Sequence, residues 1–186
     1  MKLFRVFLGI FLLVALFLGI AFFLPHTYRI EKSIIVNRPV NQTFQYLNNM
    51  KNWKDWSPWN TELDSSLVFF YSRNSEGTGA RQYFRGGLYG CGRLNISNSQ
   101  INERIDYDLW MNEGTITTKA TFMFEALGGK TKLTWLDSGD VGNNPIFRYM
   151  LSSKISSTEQ AFEQGLITIK RAAEDHTFKE IPALPY

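Results

Sequence analysis

Few residues in this chain are able to do chemistry, and they are scattered. There are two histidines, His26 and His176, near the two ends of the polar part of the chain, and neither sits in a motif. A general base must reach its proton inside a pocket, which disfavours both. Cys91 is the single cysteine, so no internal disulfide and no cysteine-based metal site can form. No metal-ligand spacing appears elsewhere, and no cofactor is expected. Asp106 and Asp108 alternate with apolar residues and so face the solvent side of a strand. Asp137 and Asp140 lie past the last strand, near the mouth of a cavity, and Asp137 is the best candidate for a general acid or base. The plainer reading of Asp137 is a solvated strand-end carboxylate. "GGLYGCG" (86–92) looks like a phosphate loop, but a strand follows it instead of a helix N-terminus, so it reads as a hairpin.

The other conspicuous chemistry is aromatic. "NWKDWSPWN" (52–60) places Trp53, Trp56 and Trp59 three apart in a chain with five Trp. Pro58 disfavours a helical Ser57. The three indoles therefore cannot share one helix face, and the spacing alone builds no cage. Trp53 and Trp56 read as packing that fixes a short helical cap. Trp59 is kept as a candidate at the mouth of a cavity.

The elements that must position these residues are legible from periodicity. "TYRIEKSIIVN" (27–37) alternates and is rich in β-branched residues, which predicts a strand. Val40, Phe44 and Leu47 recur at helix spacing, predicting a helix over 39–48 and a short second one over 51–55. From 66 to 137 the period is two, with six successive strands separated by breaks containing Gly, Asn or Ser, as in an antiparallel meander. Parity puts Phe69, Tyr71, Ala80, Gln82, Phe84, Leu94, Ile96, Ile105, Tyr107, Leu109, Phe122, Phe124, Leu133 and Trp135 on one face. Arg81, Arg93, Asp106, Asp108, Lys119 and Lys132 take the other. From 145 to 175 the chain reads helical, with Leu151, Ile155, Phe162, Leu166, Ile169 and Ala173 in one stripe. "LSSKISST" predicts a break or kink near 152–157. Residues 177–186, with two prolines, are expected to form an extended tail. A single sheet with one apolar face needs a cover, and only the last helix is long enough. The fold class is α+β: a curved seven-stranded antiparallel sheet gripping a long C-terminal helix, with two short helices after the first strand.

Ahead of this domain (27–176), residues 1–26 are not globular. Val6 to Leu24 is an uncharged run of 19 apolar or Gly residues. That approaches the roughly 20 needed to cross a bilayer and exceeds the usual signal-peptide core of about 7–15. The run reads as an uncleaved signal anchor touching the membrane over residues 3–24, with a cleaved signal as the alternative. Lys2 and Arg5 precede it and Arg29, Lys32 and Arg38 follow, so the charge count nearly ties. The short N-terminal tail favours an N-inside orientation. The pI of 9.0 misleads. Without Lys2 and Arg5, 18 basic residues face 17 acidic ones, no footprint for nucleic acid.

The order of elements, with "NWKDWSPW", "GTGARQYFRGG" then "GCGRLNIS", "NERIDYDL", "TKLTW" and "FEQGLITIKRAAE", resembles the START-like, or SRPBCC, superfamily over about 34–175. The resemblance is to its polyketide cyclase/dehydrase-like branch, many members of which carry an N-terminal membrane anchor. It implies a helix-grip fold and a hydrophobic cavity between the sheet and the C-terminal helix, not a reaction. The cavity lining expected from it is Trp59, Phe69, Tyr71, Phe84, Tyr107, Phe122, Trp135, Thr158 and Phe162. Phe84 stands where the family often has Trp. Gly165 is expected to serve close packing. The implied function is a membrane-anchored domain holding a hydrophobic small molecule or lipid, in a bacterial inner membrane with the domain on the periplasmic side. The alternatives are a cyclase, dehydratase or hydrolase using the same cavity, and a protein-interaction module like the chaperone activators of the superfamily.

Overall fold

The computed structural model describes residues 2–57, 64–88, 90–111, 116–140 and 142–177, with backbone alone at 2, 3, 116, 152–154 and 157. Trp59 and the tail beyond residue 177 lie outside the described residues. Helix α1 (Lys2–Phe23) is followed by strand β1 (Thr27–Val36), helix α2 (Val40–Leu47) and a 3-10 turn (Met50–Asp55). Strands β2 (Val68–Tyr71), β3 (Arg81–Gly86), β4 (Gly90–Gln100), β5 (Arg104–Met111), β6 (Ile116–Leu127) and β7 (Lys130–Asp140) come next, then helix α3 (Pro145–Asp175).

The seven strands form one antiparallel sheet in the order β1-β7-β6-β5-β4-β3-β2. Six strands meander, as the period-two reading requires, and β1 closes on the far side of β7. The β6–β7 hairpin turns on Gly128 and Gly129, both at positive φ (51° and 89°), which glycine adopts without steric cost. A register shift between Ile96 and Asn98 puts a bulge in β4, and bulges bend a strand. The predicted apolar face is the buried one: Ala80, Gln82, Phe84, Leu94, Ile96, Ile105, Tyr107, Leu109, Phe122, Phe124, Leu133 and Trp135 all point inward.

Helix α3 covers that face along β1. Leu151, Phe162, Leu166, Ile169 and Ala173 are buried beneath it. Polar contacts fix its position: Lys32 Nζ donates to Glu163 at 2.7 Å, the Asn37 N–H to Glu174 at 2.6 Å, and Lys170 Nζ to the Ile35 carbonyl at 2.6 Å. The expected break near 152–157 is absent, and the helix runs continuously from 145 to 175. The serines there weaken intrinsic helix preference by tenths of a kcal/mol each, less than packing a long apolar stripe returns.

A second difference concerns β7, which runs on to Asp140 where the sequence reading ends it near Asp137. Ser138, Gly139 and Asp140 have little strand preference, but they pair with Arg29, Tyr28 and Thr27 of β1. Tertiary pairing wins over local propensity there, and it carries Asp137 into the sheet.

Candidate functional site

The inner face falls into two parts. Under α3, six rings interlock. Trp53 comes from the 3-10 turn and Trp56 caps its C-terminal end, with Tyr107 from β5, Phe122 from β6, Trp135 from β7 and Phe162 from α3. Trp135 stacks on Phe162 with centroids 4.0 Å apart, and Tyr107 on Phe122 at 5.5 Å. Trp53 stands edge-on to Tyr107 at 4.9 Å, and Trp56 edge-on to Trp135 at 5.6 Å. Such pairs stabilise by about 0.5–1.5 kcal/mol each beyond area burial. All six are buried. Four of the expected cavity residues, Tyr107, Phe122, Trp135 and Phe162, are thus brought together, filling the space between sheet and helix with ring against ring.

The other part belongs to β2, β3 and β4. Here Phe69 pairs with Phe84, Phe84 with Gly92, and Tyr71 with Gln82. Phe69, Tyr71 and Met111 are half-buried, while Phe84 and Gln82 are fully so. The Phe84 ring lies over Gly92, where a Cβ would come within 2.2 Å of it. The glycine at 92 therefore makes room for the Phe84 ring. Thr158 is half-buried on α3.

Buried polar atoms on these surfaces are short of hydrogen-bond partners: Gln82 Oε1 and Trp56 Nε1 have none among the described residues, and Tyr71 Oη has only the Gln82 side-chain amide beside it. Leaving one such group unsatisfied costs about 1–3 kcal/mol. By contrast, Trp53 Nε1 donates to the Leu47 carbonyl at 2.8 Å, and Trp135 Nε1 to Tyr107 Oη at 3.0 Å. Trp53 is a packing residue, as its sequence context suggests; Trp56 packs as well and carries an unspent donor. Gln82 reads in sequence as one polar residue on an apolar face, a signal that carried little weight without its burial.

The acid/base candidate changes character. Asp137 is not a solvated strand-end carboxylate; it is 4% exposed on the inner face of β7. Its register neighbours are Ile30 and Ala120, and Tyr107 is the next position beyond Ala120. Only the small Ala120 side chain stands between Tyr107 and Asp137 in the register. Tyr28 donates its hydroxyl to Asp137. Burial, and then the carboxylate's charge, push the Tyr28 hydroxyl above its ordinary pKa of 10.0. Burial pushes Tyr107 higher still, with the Trp135 bond opposing and the Asp137 charge assisting. Both phenols stay protonated at neutral pH and can donate. The Tyr28 ring lies over Gly139, where a Cβ would sit 2.7 Å from it. No sequence motif joins Tyr28 to Asp137; only the β1–β7 pairing does.

Among the described residues no cluster of three or more His, Cys, Asp or Glu could hold a metal ion. Cys91 is half-buried and carries a free thiol.

A meander that folds against a long terminal helix, with two short helices inserted after the first strand, is diagnostic as an arrangement. The chain has the START-like, helix-grip fold. Solved structures sharing the START-like fold include the Aha1 dimer from Colwellia psychrerythraea, with a TM-score of 0.55 and 16% identity over 80% of this chain and 97% of that one. Ara h 8.0201 matches with a TM-score of 0.56 and 12% identity over 81% and 99%. The di-domain ARO/CYC BexL, from the BE-7585A biosynthetic pathway, matches with 0.55 and 14% over 79% and 46%. No protein-family model and no curated protein sequence matches the chain. Among the described residues one helix, Phe4–Phe23, is long and apolar enough to cross a membrane.

Proposed function

We propose that this START-like domain is held at a membrane by α1 and binds a hydrophobic small molecule or lipid against the inner face of its sheet. The observation that carries this reading is the set of buried, unsatisfied polar atoms on an otherwise apolar surface. Folded proteins rarely leave such groups alone, and a mostly apolar wall with a few polar points is what orients a hydrophobic guest. The guest would rest on the β2–β4 part, on Phe69, Tyr71 and Phe84, with Gln82, Tyr71 and Trp56 addressing its polar end. Trp59 remains a candidate for the mouth, and Thr158 a candidate for the lining. Mass spectrometry of the intact full-length protein, extracted in mild detergent, tests this. The expected result is a retained apolar molecule, lost when Gln82→Leu and Tyr71→Phe remove two polar contacts. A protein that carries no guest and binds no fluorescent fatty-acid probe would overturn it.

A second reading, a cavity enzyme of cyclase, dehydratase or hydrolase type, is favoured by one observation: the buried Asp137 with Tyr28 and Tyr107 beside it. A carboxylate and two protonated phenols can shuttle a proton in a water-poor site. The two readings separate by the mass of the retained molecule. An enzyme crippled by Asp137→Asn holds unconverted substrate and so a different mass; a binding protein holds the same molecule as the wild type.

A further inference from the structure

The junction between α1 and α3 fixes how the domain meets its anchor. Tyr149 Oη donates to the Phe17 carbonyl at 2.7 Å, and the two rings stack with centroids 4.3 Å apart. Arg148 is 7% exposed. Its Nη1 donates to the carbonyls of Ala21 at 3.2 Å and Phe22 at 3.1 Å, its Nε to the Gly142 carbonyl at 2.9 Å, and its Nη2 to Asn143 Oδ1 at 2.7 Å. The last carbonyls of a helix lack partners within it and carry its negative end. A guanidinium placed on them satisfies both, and its own charge is met by oxygen on every side. Ala21, 2% exposed, is buried in the contact.

Depth follows from this geometry. Phe17 lies six residues before Phe23, the end of α1, which is about 9 Å at 1.5 Å per residue. The apolar stretch Phe4–Phe23 is 20 residues, or about 30 Å, the full thickness of a bilayer's hydrocarbon. With no slack in the span, Phe17 to Phe23 must lie within the leaflet on the domain's side. The turn of α3 clamped to Phe17 must lie there too. That turn presents Ile146, Phe147 and Met150, 58%, 55% and 60% exposed, at i, i+1 and i+4 on one helix face. Arg148 and Tyr149 are turned to α1 instead.

We infer that the first two turns of α3 are themselves seated in the bilayer beside α1, with Ile146, Phe147 and Met150 against acyl chains. The partner is the apolar interior of a lipid leaflet, and the surface is continuous with the exposed apolar face of α1. The clamp makes anchor and domain one body, so the helix that covers the inner face starts inside the lipid. This inference rests on α1 being a membrane span, and the experiment separates the two claims.

Full-length protein in a Cys91→Ser background is reconstituted into phosphatidylethanolamine–phosphatidylglycerol vesicles containing doxyl-labelled lipid. It carries a bimane probe at Phe147→Cys, at Leu16→Cys within α1, or at Lys119→Cys on the outer face of the sheet. The expected result is lipid quenching and blue-shifted emission at 147 approaching those at 16, with neither at 119. Arg148→Gln should reduce quenching at 147 and leave it unchanged at 16. Quenching at 16 with a water-exposed, iodide-accessible probe at 147 overturns the inference and leaves the anchor standing. Loss of quenching at 16 overturns both.

Discussion

At the residue scale, charges on the two faces of the sheet obey opposite rules. Asp106, on the outer face, accepts from Thr121 Oγ1 at 2.6 Å, Arg104 Nε at 2.7 Å and Asn98 Nδ2 at 3.0 Å. Partial burial pushes its pKa up, but those bonds outweigh it and hold the carboxyl below its ordinary 3.8. A depressed folded pKa stabilises the fold fully above 3.8, and that contribution is lost as the pH falls through the lower folded value. Asp106→Asn should therefore cost about 1 kcal/mol at neutral pH, with the deficit shrinking as the pH falls below 3.8 and through the lower folded value. Urea melts at a series of pH values would show it, and a deficit independent of pH would contradict the assignment. Asp137 differs because it faces inward, and its partner Tyr28 keeps the proton it donates.

At the scale of elements, α3 sits close to the sheet because Gly165 lets it. A Cβ at 165 would come within 2.7 Å of the Trp135 ring, which is itself stacked on Phe162. The sequence already favours close packing for this glycine, whose place in a helix costs about 1 kcal/mol against Ala. Gly165→Ala should recover that propensity yet lose about 1–3 kcal/mol to overpacking, for a net fall in thermal stability measured by calorimetry. A rise would mean the ring can shift freely. The element boundaries also show which local signals can be overruled. The continuous α3 and the lengthened β7 both follow from packing that no window of sequence contains.

For the whole molecule, a sheet, a covering helix and a membrane segment are joined through two clamps on α3. Lys32, Asn37 and Lys170 hold it to the sheet, and Arg148 and Tyr149 hold it to α1. A guest on the inner face of this sheet would couple to the stability of the entire domain. Delipidated protein given a guest at about 100 times its Kd should gain about 2.7 kcal/mol against unfolding. The gain should disappear in the Gln82→Leu, Tyr71→Phe variant. An equal gain in that variant would place the guest elsewhere.

By itself the sequence determined the fold class, the order of the described elements, the two faces of the sheet and the apolar span, while the second short helix it suggested is a 3-10 turn. Those properties are written in periods of 2 and 3.6 residues, which local backbone geometry imposes on any chain that buries one face. Only the tertiary structure decided what those faces hold. Tyr28 meets Asp137, and Arg148 meets Ala21 and Phe22, across more than a hundred residues of chain. Such contacts depend on strand pairing and helix docking, and they leave no periodic trace near either partner. Trp53 and Trp56 read correctly as packing from their own segment, but the unspent donor of Trp56 became visible only once its surroundings were assembled.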